Sequence, residues 1–275
     1  MKERLLKLLF YPRPLRILFL SRLLAHMRWG SYETRLRYDA MARPWYGYCV
    51  WNAANLAKAL GLDAISVIEF GVAGGRGLLN MEEHVKEIER STGVSISIYG
   101  FDSGEGLPEP TDFRDLPYRF KAGSFVMDRA KLEASLERAK LVIGNVKATV
   151  KTFVEAFDPP PIGAVMFDLD FYSSTREAFG VFGYDDHGRY LPRVFCYLDD
   201  VTDEGITAYN ENPGVLRAIR DFNDQREDCK IAKINSLWEA RRIPTGWNEK
   251  IYVAHYFTHD RYNTYVSEKA RQAPL

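Results

Sequence analysis

The chain has 275 residues, 46% of them apolar, with 37 basic and 37 acidic side chains and no formal net charge. That supplies apolar surface for one sizeable α/β core, and the neutral balance argues against a nucleic-acid partner. No apolar run approaches the roughly 20 residues of a transmembrane helix, and Arg16 and Arg22 interrupt the leucines a signal peptide would need.

Residues 2–10 and 14–28 read as two short basic helices broken at Pro12 and Pro14. Residues 1–29 hold seven basic side chains against Glu3 alone, so peripheral contact with an anionic membrane surface is one reading. Packing on the core or on a second copy in a homo-oligomer is the plainer one. Residues 31–48 show no clear period, and Tyr46-Gly47-Tyr48 is expected to break any helix there. A helix is expected from about Val50 to Leu60, capped by Gly61.

From Ile65 strands alternate with helices. Ile65–Phe70 is the first strand, and a glycine-rich turn from Gly71 to Gly77 leads into a helix ending near Arg90. Ser95–Phe101 is the second strand, running into Asp102 and a Pro/Gly-rich loop. Helices are expected over 128–139 and 150–156, with a short strand over 141–143 between them. Ala164–Phe167 runs into Asp168-Leu169-Asp170, a helix covers 174–179, and Val194–Leu198 ends in Asp199-Asp200. A helix carrying Val215, Ile219 and Phe222 follows, then strands over 231–234 and 251–257. This order predicts one Rossmann-like α/β domain over 61–275, a mostly parallel, doubly wound sheet, with a helical extension over 1–60. Three widely spaced cysteines (Cys49, Cys196, Cys229) suit core positions and a reducing, cytoplasmic compartment.

Acids fall at the ends of four expected strands: Glu69, Asp102, Asp168 with Asp170, and Asp199 with Asp200. In an open α/β sheet those ends line one crevice. Carboxylates gathered there repel unless a cation or ligand hydroxyls intervene. Asp102 stands where a nucleotide-binding sheet places its ribose acceptor. Glu69, just before the glycines, suits a ligand with a cationic head. Asp168, Asp199 and Asp200 offer hard oxygens for Mg²⁺ or Ca²⁺, and no Cys/His cluster points to zinc. His187, His255 and His259 are expected in structural or solvated roles.

Glu69-Phe70-Gly71-Val72 with Gly74-Gly75, the run Gly100 to Glu109, Asp168-Leu169-Asp170-Phe171-Tyr172-Ser173-Ser174-Thr175, and Asp199-Asp200 occur in an order that resembles the macrocin O-methyltransferase family of class I S-adenosylmethionine-dependent methyltransferases. The resemblance covers about residues 65–225. It implies methyl transfer to a hydroxyl of a sugar or glycosylated small molecule. It also implies that Glu69, Gly71 and Gly74 border the methionine part of S-adenosylmethionine, that Asp102 and Ser103 hold the ribose and adenine side, and that Ser124 lines the adenine pocket. Asp168, Asp199 and Asp200 match the Mg²⁺ ligands, and Asp168 or Asp170 would act as the base. The chain departs from the family at Tyr190-Leu191-Pro192-Arg193 and at Val201, and its two ends are unmatched. A non-catalytic S-adenosylmethionine-binding or scaffolding protein and a nicotinamide-dependent oxidoreductase are the alternatives.

Overall fold

The computed structural model describes residues 29–202, 205, 207 and 209–267, together with 23 and 27. The expected basic helices over 2–10 and 14–28 lie outside the described residues apart from those two positions, and with them both readings of that segment, on a membrane surface or packed on the core or a second copy. Among the described residues no helix is long and apolar enough to cross a membrane.

Seven strands form one sheet: β1 (Ala64–Phe70), β2 (Ser95–Asp102), β3 (Lys140–Ile143), β4 (Ile162–Phe167), β5 (Tyr190–Leu198), β6 (Cys229–Lys233) and β7 (Ile251–Tyr256). Their order is β3-β2-β1-β4-β5-β7-β6. β3, β2, β1, β4 and β5 run parallel, and β7 is antiparallel to both of its neighbours. The chain winds outward in one direction from β1 and in the other from β4. The crevice of such a sheet opens at the carboxyl ends of those two strands.

The helices are α1 (Tyr32–Arg37), α2 (Pro44–Ala59), α3 (Arg76–Thr92), α4 (Arg129–Ser135), α5 (Val146–Phe157), α6 (Tyr172–Ala178), α7 (Gly214–Gln225) and α8 (Leu237–Ala240). Strand alternation divides the core. Ile65 and Val67 face α2 and α3, where Val50, Leu78, Met81 and Val85 complete one buried layer. Ile68 and Phe70 face the other way, toward Phe153, Phe179 and Val215. Phe70 stacks on Phe167 at 5.4 Å, and Phe167 meets Phe179 edge-on at 5.1 Å. Each fully buried phenylalanine contributes about 1.5–3 kcal/mol relative to exposure. α3 packs because Leu78, Met81, Val85 and Ile88 fall on one face, and Gly93 (φ +80°) ends it with an N–H bonded to the Glu89 carbonyl at 2.8 Å.

Two sequence expectations need correction. Tyr46-Gly47-Tyr48 does not break a helix: α2 starts at Pro44, and Gly47 lies inside it. A glycine costs about 1 kcal/mol in a helix interior, but here it lets α2 approach its neighbours. A Cβ at Gly47 would stand 2.6 Å from the Tyr32 hydroxyl and 3.0 Å from His84 Cε1. The helix expected over 128–139 stops at Ser135, because Leu136 is extended. The helices expected over 77–90 and 150–156 run longer, over Arg76–Thr92 and Val146–Phe157, whereas the last strand ends at Tyr256. β5 begins at Tyr190, and its pairing with β4 shifts register between Ile162 and Ala164, opposite the stretch holding Pro192. The three cysteines are buried free thiols.

Candidate functional site

β1 and β4 pair in register, with Phe70 opposite Phe167. The next residues, Gly71 and Asp168, therefore meet at the strand ends. Gly71 has φ +83°, and a Cβ there would lie 1.7 Å from the Asp168 carbonyl oxygen. Only glycine lets the two chains approach this closely. β2 ends alongside, and Asp102 turns back over the glycine loop. Its Oδ2 accepts from the Ala73 N–H at 2.8 Å and its Oδ1 from the Gly104 N–H at 2.7 Å. Each oxygen keeps a further lone pair for a ligand hydroxyl.

These ends border a cavity of about 760 Å³, within the usual range for small-molecule sites. Gly71, Asp102, Ser103, Asp168, Asp170 and Asp199 all line it. A second cavity of about 420 Å³ adjoins it and shares Leu107, Phe125, Asp170 and Asp199. Asp200 and Ser124 line only this second cavity. Gly74 is exposed and borders neither. Ser124 fastens the loop after β2, its carbonyl accepting from the Leu107 N–H at 2.8 Å.

Glu69 also stands apart from both cavities. Strand alternation turns its side chain toward α2, where it is buried. Tyr46 donates to Oε1 at 2.7 Å, whereas Oε2 is buried without a partner. Gly77 makes room for this carboxyl, since a Cβ there would lie 1.8 Å from Oε1. Burial, reinforced by Asp168, raises Glu69 to about 8 despite the Tyr46 hydrogen bond.

Asp168, Asp199 and Asp200 each offer one oxygen, and the three lie within 4.8 Å of one another. Asp199 Oδ1 accepts from the Tyr197 hydroxyl and from Lys250 Nζ, the latter at 3.0 Å. Asp200 Oδ2 accepts from the Asp170 N–H at 3.0 Å, with Asp170 itself in the left-handed region at φ +59°. Among the described residues no partner is seen for Asp199 Oδ2, which leaves that oxygen for another ligand. Burial, then the charges of Asp199 and Asp200, raise Asp168 to about 8. Burial and Asp168 raise Asp170 to about 7, and burial with Asp170 and Asp199 pushes Asp200 up as well. Hard oxygens gathered at this spacing fit a divalent cation such as Mg²⁺. The Asp102 oxygens, which line the larger cavity, fit a ligand with ribose-like hydroxyls.

Tyr46, Tyr197 and Lys250 were not anticipated as part of this site. Tyr46 and Tyr197 meet edge-on at 5.6 Å and connect Glu69 to Asp199. Lys250 reaches the crevice because β7 is antiparallel, with Ile251 opposite Tyr197. No sequence signal marks that direction, because the stretch 234–250 between β6 and β7 is long enough for a crossover. His187, His255 and His259 border neither cavity; His255 bonds to the Tyr262 hydroxyl and His259 to the Tyr190 carbonyl.

No family model and no curated protein matches the chain. Among solved structures, the calicheamicin methyltransferase CalS11 is similar at a TM-score of 0.51 and 20% identity, over 93% of this chain and 91% of that one. The O-methyltransferase NovP gives 0.42 and 16%, over 67% and 83%. An O-methyltransferase from Bacillus cereus in complex with SAH gives 0.39 and 12%, over 91% and 94%. The fold is the Rossmann-like class I methyltransferase fold.

Proposed function

We propose that the protein is an S-adenosylmethionine-dependent O-methyltransferase of the macrocin O-methyltransferase type, acting on a hydroxyl of a sugar or glycosylated small molecule. The observation that carries the reading is the meeting of two cavities at Asp170 and Asp199, one bordered by Asp102 and Gly71, the other by Asp200. A two-substrate transfer needs such an arrangement, with donor and acceptor held in line at a shared wall.

In this reading Gly71 and Asp102 hold the donor, with Ser103 beside them. Glu69 is buried behind the glycine loop against Tyr46, Gly74 shapes the loop's turn, and Ser124 fixes the loop over the adenine side. When bound, S-adenosylmethionine supplies an electrophilic methyl group, and Mg²⁺ at Asp168, Asp199 and Asp200 supplies Lewis acidity toward the acceptor hydroxyl. Asp168 or Asp170, both raised toward neutrality, takes the hydroxyl proton. Lys250 and Tyr197 orient Asp199. In this reading the helices α1 and α2, which precede residue 61, accompany a methyltransferase domain over 61–275 in a cytoplasmic homo-oligomer.

Calorimetry with S-adenosylhomocysteine, and methyl transfer from labelled donor to a panel of glycosides with and without EDTA, test this reading. Asp102→Ala should weaken S-adenosylhomocysteine, and Asp199→Ala should abolish transfer while leaving that affinity nearly intact. Chelator-insensitive transfer in Asp199→Ala would remove the metal assignment. Stabilisation by NAD and not by S-adenosylhomocysteine would favour an oxidoreductase.

A further inference from the structure

Of Asp168, Asp170, Asp199 and Asp200, only Asp199 forms an ion pair among the described residues, with Lys250 Nζ 3.0 Å from its Oδ1. The Tyr197 hydroxyl donates to the same oxygen. The Lys250 side chain is 18% exposed and that of Asp199 38%, so solvent and salt screen the pair less than they would on an open surface.

Lys250 is firmly placed. It ends a single 3₁₀ turn, Gly246–Lys250. Buried Asn248 pins that turn, its Oδ1 accepting from the Thr245 N–H at 2.9 Å. Trp247, also buried, donates from Nε1 to Asp39 Oδ2 at 3.2 Å. Ile251 then enters β7 opposite Tyr197, so Lys250 emerges beside the end of β5, next to Asp199. From there its charge opposes the rise that burial and the neighbouring acids impose on Asp168 and Asp200. The ammonium and any cation on Oδ2 would share one carboxylate, and two positive charges that close repel.

We propose, resting on the assignment of Asp168, Asp199 and Asp200 as a divalent-cation site, that Lys250 is the resident counter-charge of that site and holds its cation affinity down. The acids are partly neutralised before a cation arrives, so the cation binds weakly and reversibly, and occupancy follows the free cation concentration. Lys250 also lines the smaller cavity, which gives its ammonium room to withdraw. Asp199 stays aligned when it does, because Tyr197 keeps its bond to Oδ1. A purely orienting Lys250 predicts the opposite: its loss would loosen Asp199 and weaken cation binding.

Calorimetric titration of the metal-stripped protein with Mg²⁺ and with Mn²⁺, in the wild type, Lys250→Gln, Lys250→Met and Lys250→Arg, tests the proposal. Lys250→Gln keeps a donor for Oδ1 and removes the charge, and Lys250→Met removes both. Each of these two should bind both cations about tenfold or more tightly than the wild type, whereas Lys250→Arg should stay near it. In EDTA, Lys250→Gln should unfold at a lower temperature than the wild type, and saturating Mg²⁺ should narrow the deficit. Equal or weaker cation binding by Lys250→Gln overturns the proposal, as does equal tightening by Lys250→Arg. An undiminished unfolding temperature of Lys250→Gln in EDTA does so as well. If neither the wild type nor any variant binds either cation, the cation site itself is lost and the proposal with it. Binding at equal strength in all four proteins overturns the role of Lys250 alone and leaves the cation site standing.

Discussion

The Tyr46 hydroxyl donates to Glu69 Oε1 at 2.7 Å and leaves Oε2 buried with no partner among the described residues. Burial holds this carboxyl protonated to about pH 8. The unfolded chain releases the proton near the ordinary carboxylate value, so between about pH 4.5 and 8 the folded state binds more protons and stability falls as pH rises. Glu69→Gln should abolish this contribution, leaving the variant more stable than the wild type near pH 9 and little changed near pH 5. Denaturant unfolding across that range measures it. If Glu69 answers the cationic end of the methyl donor, saturating S-adenosylhomocysteine should stabilise the wild type more at pH 9 than at pH 6, and Glu69→Gln should lose that trend.

Asp168 has the opposite problem from a paired carboxylate: its carboxyl group is repelled by Asp199 and Asp200 and takes part in no hydrogen bond among the described residues. Asp168→Asn should therefore raise stability in EDTA at pH 8 by roughly 1–3 kcal/mol. The same variant should lose the stabilisation that Mg²⁺ gives the wild type. Thermal unfolding with and without Mg²⁺ checks both halves. A variant less stable than the wild type in EDTA would mean that the acids are not in mutual repulsion.

The strand ends were legible in the sequence because burial and chain reversal both leave marks there. Ile65–Phe70 is a largely apolar run interrupted by Ser66 and Glu69 and followed by Gly71, and the stretches Ser95–Asp102 and Ile162–Phe167 likewise run into an acid. What those runs cannot encode is which face an acid takes. Glu69 belongs to the crevice by position but to the α2 interface by alternation, and only its contact with Tyr46 shows this. Gly47 misled for a related reason: local propensity disfavours a helix, while the contacts that favour one come from Tyr32 and His84, far away in sequence. Lys250 depends on strand direction, which no local pattern carries.

Gly71 and Gly61 separate backbone strain from crowding. Both have positive φ, +83° and +71°, but a Cβ at Gly61 meets nothing within 4 Å, whereas one at Gly71 collides with the Asp168 carbonyl. Gly61→Ala should cost about 1 kcal/mol from conformation alone. Gly71→Ala should cost roughly 3 kcal/mol or more, because β1 and β4 must part. It should also displace Asp168 and suppress methyl transfer. Equal losses in denaturant unfolding would mean the strand ends yield easily.

His84 sets an acid limit on the fold. Its Nδ1 lies 2.9 Å from the Tyr32 hydroxyl and its Nε2 3.0 Å from the Ala42 carbonyl, so α3 is tied to both the α1 and the α2 ends of the chain. Burial lowers its pKa to about 4 against the hydrogen bonds to backbone carbonyls. Its ordinary value is near 6.5, so between pH 6.5 and 4 the unfolded chain binds the extra proton and stability falls as pH falls. The stabilisation is whole above pH 6.5, and about 3 kcal/mol of it is gone by pH 4. His84→Gln keeps a donor and an acceptor at this position without the titration. It should cost about 1–2 kcal/mol at pH 8, yet show a flatter decline from pH 6.5 to 4. Denaturant midpoints at pH 8, 6 and 4.5 decide it, and parallel slopes in wild type and variant would show that protons taken up elsewhere govern the acid limit.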